Sequence, residues 1–252
     1  MKIQHLLGIS ALAGTLVLSA GSTLATDIEE SLDYSIARGG RLYDKWFKEN
    51  DTATPKVANP AYPDEGKSKG KKGNDWRCKE CHGWDYLGKA GAYSEGSHYT
   101  GIKGIRGAME MKSDKIATIL RDKNHGYSNT MLSDKDLQDL ANFVTQGQID
   151  MDVYIDRATK TVKGDAEKGQ AYYQTVCGGC HGLDGKAMDD LILGQVANKN
   201  PWETLHKIQN GQPDEEMTAL RAFDIQISLD LLKYVQSLPT TENKDAKEHH
   251  HH

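Results

Sequence analysis

Beyond its first 25 residues the chain has no apolar run approaching the roughly 20 residues that a membrane-spanning helix requires. It has no surplus of basic residues either. The 31 Lys and Arg stand against 36 Asp and Glu, a formal charge of −5, and that balance argues against nucleic acid as a partner. No segment alternates polar and apolar residues persistently enough to form a sheet, so the expectation is a mainly α fold. Cysteine is scarce, with four in 252 residues. None follows the N-terminal apolar segment to accept a lipid, and all four fall within two short copies of one pattern.

That pattern is Cys78-Lys79-Glu80-Cys81-His82, which returns as Cys177-Gly178-Gly179-Cys180-His181. Two cysteines separated by two residues and followed at once by histidine are the attachment signature of c-type haem: the thiols form thioethers with the porphyrin and the histidine ligates iron. The i and i+3 spacing puts both sulfurs on one edge of a helical turn, and the next residue carries its imidazole beneath the ring. A zinc ribbon or a pair of disulfides would use the cysteines but would not call for histidine in the fifth place. The sequence therefore predicts two covalently bound haem c groups, attached through Cys78, Cys81, Cys177 and Cys180, with His82 and His181 as iron ligands.

The doubled motif divides the chain in two. Residues 1–25 read as a cleaved signal peptide: Lys2 gives a positive start, Leu6 to Ala20 an apolar core, and Thr23-Leu24-Ala25 a small-x-small cleavage site. Export to the periplasm follows. A first domain spans 26–147, a polar linker 148–163 and a second domain 164–239. The tail at 240–252 ends in Glu248 and His249 to His252 and looks like a purification tag remnant. Ala37-Arg38-Gly39-Gly40-Arg41-Leu42-Tyr43 lines up with Ala166-Glu167-Lys168-Gly169-Gln170-Ala171-Tyr172, and Asp139 to Val144 with Asp230 to Val235. In that register Gly40 and Gly169 are 129 apart while the haem motifs are 99 apart, so the first domain carries 30 additional residues near 48–76. With three prolines and a run containing Lys67, Lys69, Lys71 and Lys72, the insertion reads as an irregular surface excursion able to meet an acidic partner. Helices are expected over 27–48, 113–123 (with Ser113 as cap), from a Ser133–Asp136 capping box onward, over 165–175, near 202–210 and over 228–238.

What fills the face of each iron opposite its histidine separates carriers from catalysts. A methionine thioether closes that face and raises the potential, whereas an open face binds substrate. In the second domain Met217 lies in a loop between the last two helices, where a methionine is odd as mere core filler; Met188 is too near His181 in sequence to reach the far side. In the first domain Met131 occupies the corresponding loop, with His125 in the same loop and His98, Met109 and Met111 as rivals. The expected distal ligands are Met131 and Met217.

With these residues in hand, the chain resembles a dihaem class I cytochrome c, two cytochrome c domains in tandem as in the cytochrome c4 type. The resemblance covers roughly residues 35–147 and 164–239. It implies a few helices around each haem, with aromatic residues of the last helices (Phe143, Tyr234) against the first helices. Neither copy has the proline that in the family often follows the motif and offers its carbonyl to the proximal histidine. The function implied is single-electron transfer between redox partner proteins, such as a dehydrogenase or reductase and other cytochromes, without enzymatic turnover. The alternative is a dihaem oxidoreductase resembling thiosulfate dehydrogenase or peroxidase; some of the former use a distal cysteine, and here no cysteine remains.

Overall fold

The computed structural model describes residues 30–241. The signal peptide read at 1–25, Ile28 and the histidine tail lie outside the described residues. Among the described residues the regular structure is helical, with two isolated β-bridges, Gly88 to Lys103 and Ile155 to Val162. No helix among them is long and apolar enough to cross a membrane.

Helix α1 (Leu32–Glu49) starts where the Ser31 hydroxyl accepts the Tyr34 N–H, satisfying one of the helix's orphan donors. Its apolar face, Ile36, Leu42, Tyr43, Trp46 and Phe47, is buried. Then come α2 (Cys78–His82), α3 (Ser113–Leu120) and α4 (Asp134–Asn142). The expected capping box is present at α4: Ser133 caps Asp136 N–H and Asp136 reaches back to Ser133 N–H. Ser113, by contrast, is the first helical residue, and Lys112 stands at the cap position. A single π turn at Phe143–Gly147 extends α4. The second unit runs through α5 (Ala166–Tyr172), a π turn (Tyr173–Cys177), α6 (Gly178–His181), α7 (Leu193–Lys199), α8 (Pro201–Asn210) and α9 (Ile225–Ser237). Helix α7 is an addition to the elements read from sequence.

In each unit the first helix crosses the last at a glycine. A Cβ on Gly39 would fall well inside 3.0 Å of the Asp139 carbonyl oxygen, and one on Gly169 would do the same at Asp230. Farther along, Tyr43 Oη donates to Gly83 O at 2.6 Å, and Tyr173 Oη to Gly182 O at 2.7 Å. The structural repeat thus pairs Gly39 with Gly169 and Tyr43 with Tyr173. This shifts the sequence register by one residue and makes the insertion 31 residues rather than 30. Gly40 has a different task. A Cβ there would strike the Asn210 side chain of α8, and the Gly40 carbonyl accepts from His206 Nε2 at 3.0 Å.

Gly40 therefore marks the junction between the two units, which is buried and polar. His206 is fully buried among Tyr43, Trp84, Tyr86 and Phe143. Lys207 reaches the buried Asp44 of α1 at 2.7 Å, Arg41 donates to Asn210 O at 3.0 Å, and Arg221 donates to Gly147 O at 3.0 Å. Segment 148–163, expected as a polar connection, contributes buried Met151, Ile155 and Val162. Its Arg157 pairs with buried Asp85 at 2.8 Å.

The insertion is likewise more ordered than an excursion. Trp76 Nε1 donates to Val57 O at 2.7 Å, Tyr62 is buried, and the Asp75 carboxylate accepts the N–H groups of Asn59 and Gly70. Lys69 is spent internally on Asn59 O, Tyr62 O and Asp64. Lys67, Lys71 and Lys72 remain exposed.

Candidate haem sites

At the first motif a short 3-10 turn (Asn74–Trp76) and extended Arg77 lead into α2, which places Cys78, Cys81 and His82 on one turn. Gly83 stops the helix at φ +77°, a conformation that favours glycine. The chain then loops back: Lys89 N–H donates to Ile102 O and Ile105 N–H to Tyr86 O, both at 2.8 Å. Gly88 and Gly104 permit this close return, since a Cβ on either would meet backbone across the loop. The loop delivers the Lys103 carbonyl to His82 Nδ1 at 2.7 Å. A carbonyl only accepts, so Nδ1 carries the proton and Nε2 keeps its lone pair for a metal. Burial pushes the His82 imidazole down to about 4, holding it in the neutral form that ligates.

The thiol environment is apolar. Burial pushes Cys78 up to about 11 and Cys81 up to about 12. Tyr127 Oη donates to Trp76 O at 2.8 Å and lies 3.7 Å from Cys78 Sγ, while Trp46 Nε1 donates to the same carbonyl at 3.1 Å. Loop 124–131, which joins α3 to α4, carries both His125 and Met131. The His125 and His82 ring centres are 6.3 Å apart with planes inclined at 26°. His125 Nδ1 is 3.3 Å from Asp122 Oδ1, and that oxygen also accepts the His125 N–H at 2.9 Å. Met131 is half-buried and lines a groove of about 350 Å³ with Trp46, Pro55, Val57 and Trp76. His98 is turned elsewhere, stacked on Tyr93 at 4.8 Å with Nδ1 3.3 Å from Glu80 Oε2. Met109 and Met111 are exposed.

At the second motif α5 passes through its π turn directly into α6, and Gly182 ends the helix at φ +74°. Cys177 is half-buried, with its thiol pushed up to about 11 by burial; Cys180 is exposed. His181 Nδ1 is buried without a hydrogen-bond partner among the described residues, and burial lowers the imidazole's pKa. Around the turn Val176, Leu183 and Met188 expose 50%, 63% and 39% of their surface. Met217 lies half-buried in the loop between α8 and α9.

Both motifs fit a covalent porphyrin. Each puts two thiols and a neutral imidazole on one turn, amid buried aromatics at the first and a rim of exposed apolar side chains at the second. Such a rim is costly in water and suits an apolar macrocycle. The signals available to sequence reading were the motifs themselves. Lys103 acts through a backbone carbonyl and has no sequence signature, and His206 sits on a helix face where nothing in the sequence flags a junction.

Comparison with known proteins agrees. A family model described as cytochrome c matches residues 67–148, and one described as cytochrome c oxidase, cbb3-type, subunit III, matches residues 164–226. No curated protein matches the chain. A solved Kuenenia stuttgartiensis structure, titled reducing HAO-like protein complex Kustc0457/Kustc0458, is 12% identical over 73% of this chain and 98% of its own. Its TM-score of 0.27 is too low for a shared fold to be inferred. Two cytochrome c matches in tandem, each over one Cys-x-x-Cys-His turn of a helical unit, make this chain a dihaem class I c-type cytochrome with two covalently bound haem c groups.

Proposed function

We propose that the protein is a periplasmic electron carrier, or the electron-accepting subunit of a dehydrogenase, which passes single electrons between outside redox proteins. The bound haems supply one-electron redox chemistry. Cys78, Cys81, Cys177 and Cys180 hold them, His82 and His181 ligate the irons, and Met217 is the candidate sixth ligand of the second. The observation that carries this reading is the joining of the two units, each with its own haem motif, by one buried junction, in which α8 packs its His206 between Tyr86 and Gly40. Such a junction holds the two units in fixed relation, as transfer from one to the other requires.

The residues also grade the two sites. His82 is oriented by a carbonyl, which raises its donor strength; among the described residues His181 Nδ1 meets no such acceptor. A thioether supplied by Met217 would raise the potential of the second haem. Film voltammetry of haem-loaded protein tests the reading: two separate one-electron waves and no turnover of thiosulfate or peroxide are expected. Sustained turnover of either substrate would overturn it in favour of a dihaem oxidoreductase.

A further inference from the structure

The loop between α3 and α4 offers two donors for the first iron, and their surroundings differ. Metal–imidazole bonds run at about 2.0–2.1 Å, and the ring centre lies about 1.1–1.2 Å beyond the bonding nitrogen, so two imidazoles across one ion have centres about 6.2–6.6 Å apart. The His82 and His125 centres are 6.3 Å apart. Their planes are inclined at 26°.

The ring nitrogens point the same way. Lys103 O accepts from His82 Nδ1, and the Asp122 carboxylate stands at His125 Nδ1. Each Nδ1 is thus turned to a protein oxygen, and each Nε2 is left as the donor. A carboxylate or carbonyl behind a ligating imidazole is the usual outer shell of a metal-bound histidine. Asp122 is fixed in turn, because it accepts the N–H groups of Asn124 and His125 at 2.8 and 2.9 Å. Met131 instead lies along a groove walled by Trp46 and Trp76, beside the inserted segment.

We infer that His125, rather than Met131, is the sixth ligand of the first haem iron, which is therefore held by two histidines while the second is held by His181 and Met217. The inference rests on both Cys-x-x-Cys-His turns carrying haem. It sets a direction: a bis-histidine haem lacks the thioether that raises potential, so the first domain holds the lower-potential centre and electrons run from it to the second.

The test uses full-length protein, with each Cys-x-x-Cys-His peptide first shown by mass to carry haem. Failure there would overturn the functional reading itself. With both haems present, the far-red methionine–iron band and near-infrared magnetic circular dichroism of the oxidised protein report the ligands. The wild type is expected to show one methionine band and one bis-imidazole band. Met217→Ala should abolish the methionine band, Met131→Ala should leave it whole, and His125→Met should double it and raise the lower potential. His125→Ala should leave the first iron high-spin, with added imidazole restoring low spin. If His125→Ala fails to mature, the wild-type spectrum alone decides. No bis-imidazole band, or loss of half the methionine band in Met131→Ala, would overturn the assignment.

Discussion

The Tyr86 hydroxyl donates to His206 Nδ1 at 2.8 Å, joining a residue of the first haem loop to a helix of the second unit. The other nitrogen, Nε2, donates to Gly40 O. Both partners are satisfied only by a neutral imidazole of that tautomer. Replacing His206 with leucine leaves the buried Tyr86 hydroxyl without its partner, worth about 1–3 kcal/mol, and removes the side-chain bond to the Gly40 carbonyl, worth about 0.5–1.5 kcal/mol. His206→Leu should therefore lower stability by about 2–5 kcal/mol in urea unfolding, and Tyr86→Phe by less.

The same site makes stability depend on pH. Burial pushes His206 down to about 3, against 6.5 for a free imidazole. Between those values the unfolded chain binds a proton that the folded chain does not, so the contribution is complete above pH 6.5 and is lost as pH falls toward 3. The slope approaches about 1.4 kcal/mol per pH unit. Asp44 acts in the same sense at lower pH. Burial alone would raise its pKa, but the charges of Lys207 and Arg77 hold the carboxyl well below its usual range. Urea midpoints measured from pH 7 to 4 should fall more steeply in the wild type than in His206→Gln. Parallel curves would remove His206 as the cause.

The three glycines of the helix crossings and the junction should separate by readout. Gly39→Ala and Gly169→Ala each drive a methyl into backbone of the crossing helix, where nothing flexible can yield. Overpacking of that kind costs about 1–3 kcal/mol or more. Gly40→Ala meets the Asn210 side chain instead, so it should loosen the contact of the two units while sparing the α1–α4 crossing. Hydrogen exchange should report increased opening at α8 for Gly40→Ala, and at α4 for Gly39→Ala.

Those glycines also show how far the sequence could be read. The capping box at Ser133, the haem turns and most of the helices are local patterns that stand in the structure where the sequence puts them, whereas α7 and the Lys112 cap of α3 were not read. The repeat was legible only to within one residue, because consecutive glycines at 39 and 40 permit two registers and only the Asp139 and Asp230 carbonyls choose between them. His125 and Met131 share one loop, and nothing along the chain says which side chain turns toward His82. The packing of segments 48–76 and 148–163 depends on buried partners remote in sequence, such as Asp75 with Asn59 and Arg157 with Asp85.

Exposed lysines of the insertion bear on partner binding. Lys69 is held by carbonyls of its own loop, so Lys67, Lys71 and Lys72 form the available group. Their replacement by glutamine should slow electron exchange with an acidic partner at low ionic strength and flatten its salt dependence, since rim charges act chiefly on association rate. Lys69→Gln should instead lower thermal stability. Stopped-flow rates over a salt series separate the two, and an unchanged rate and salt slope in the triple variant would exclude the patch as a docking surface.

Within the first haem motif Lys79 and Glu80 form an ion pair, and both are buried, at 6% and 3% exposure. Glu80 also meets Ser68 and His98, and Lys79 lies 5.2 Å from the Trp84 ring centre. Burial would raise the Glu80 pKa, but the His98 hydrogen bond and the Lys79 charge hold it down to about 2. Its contribution is therefore complete above pH 4.5 and is lost as pH falls toward 2. Breaking a buried pair leaves an uncompensated charge, so Glu80→Gln should cost about 3–5 kcal/mol. Lys79→Met combined with Glu80→Gln should recover most of that loss, because no charge is then stranded. Recovery in the double variant, measured by denaturant midpoint with haem loading held equal, would show that the pair acts by mutual compensation; additive losses would show that each side chain matters separately.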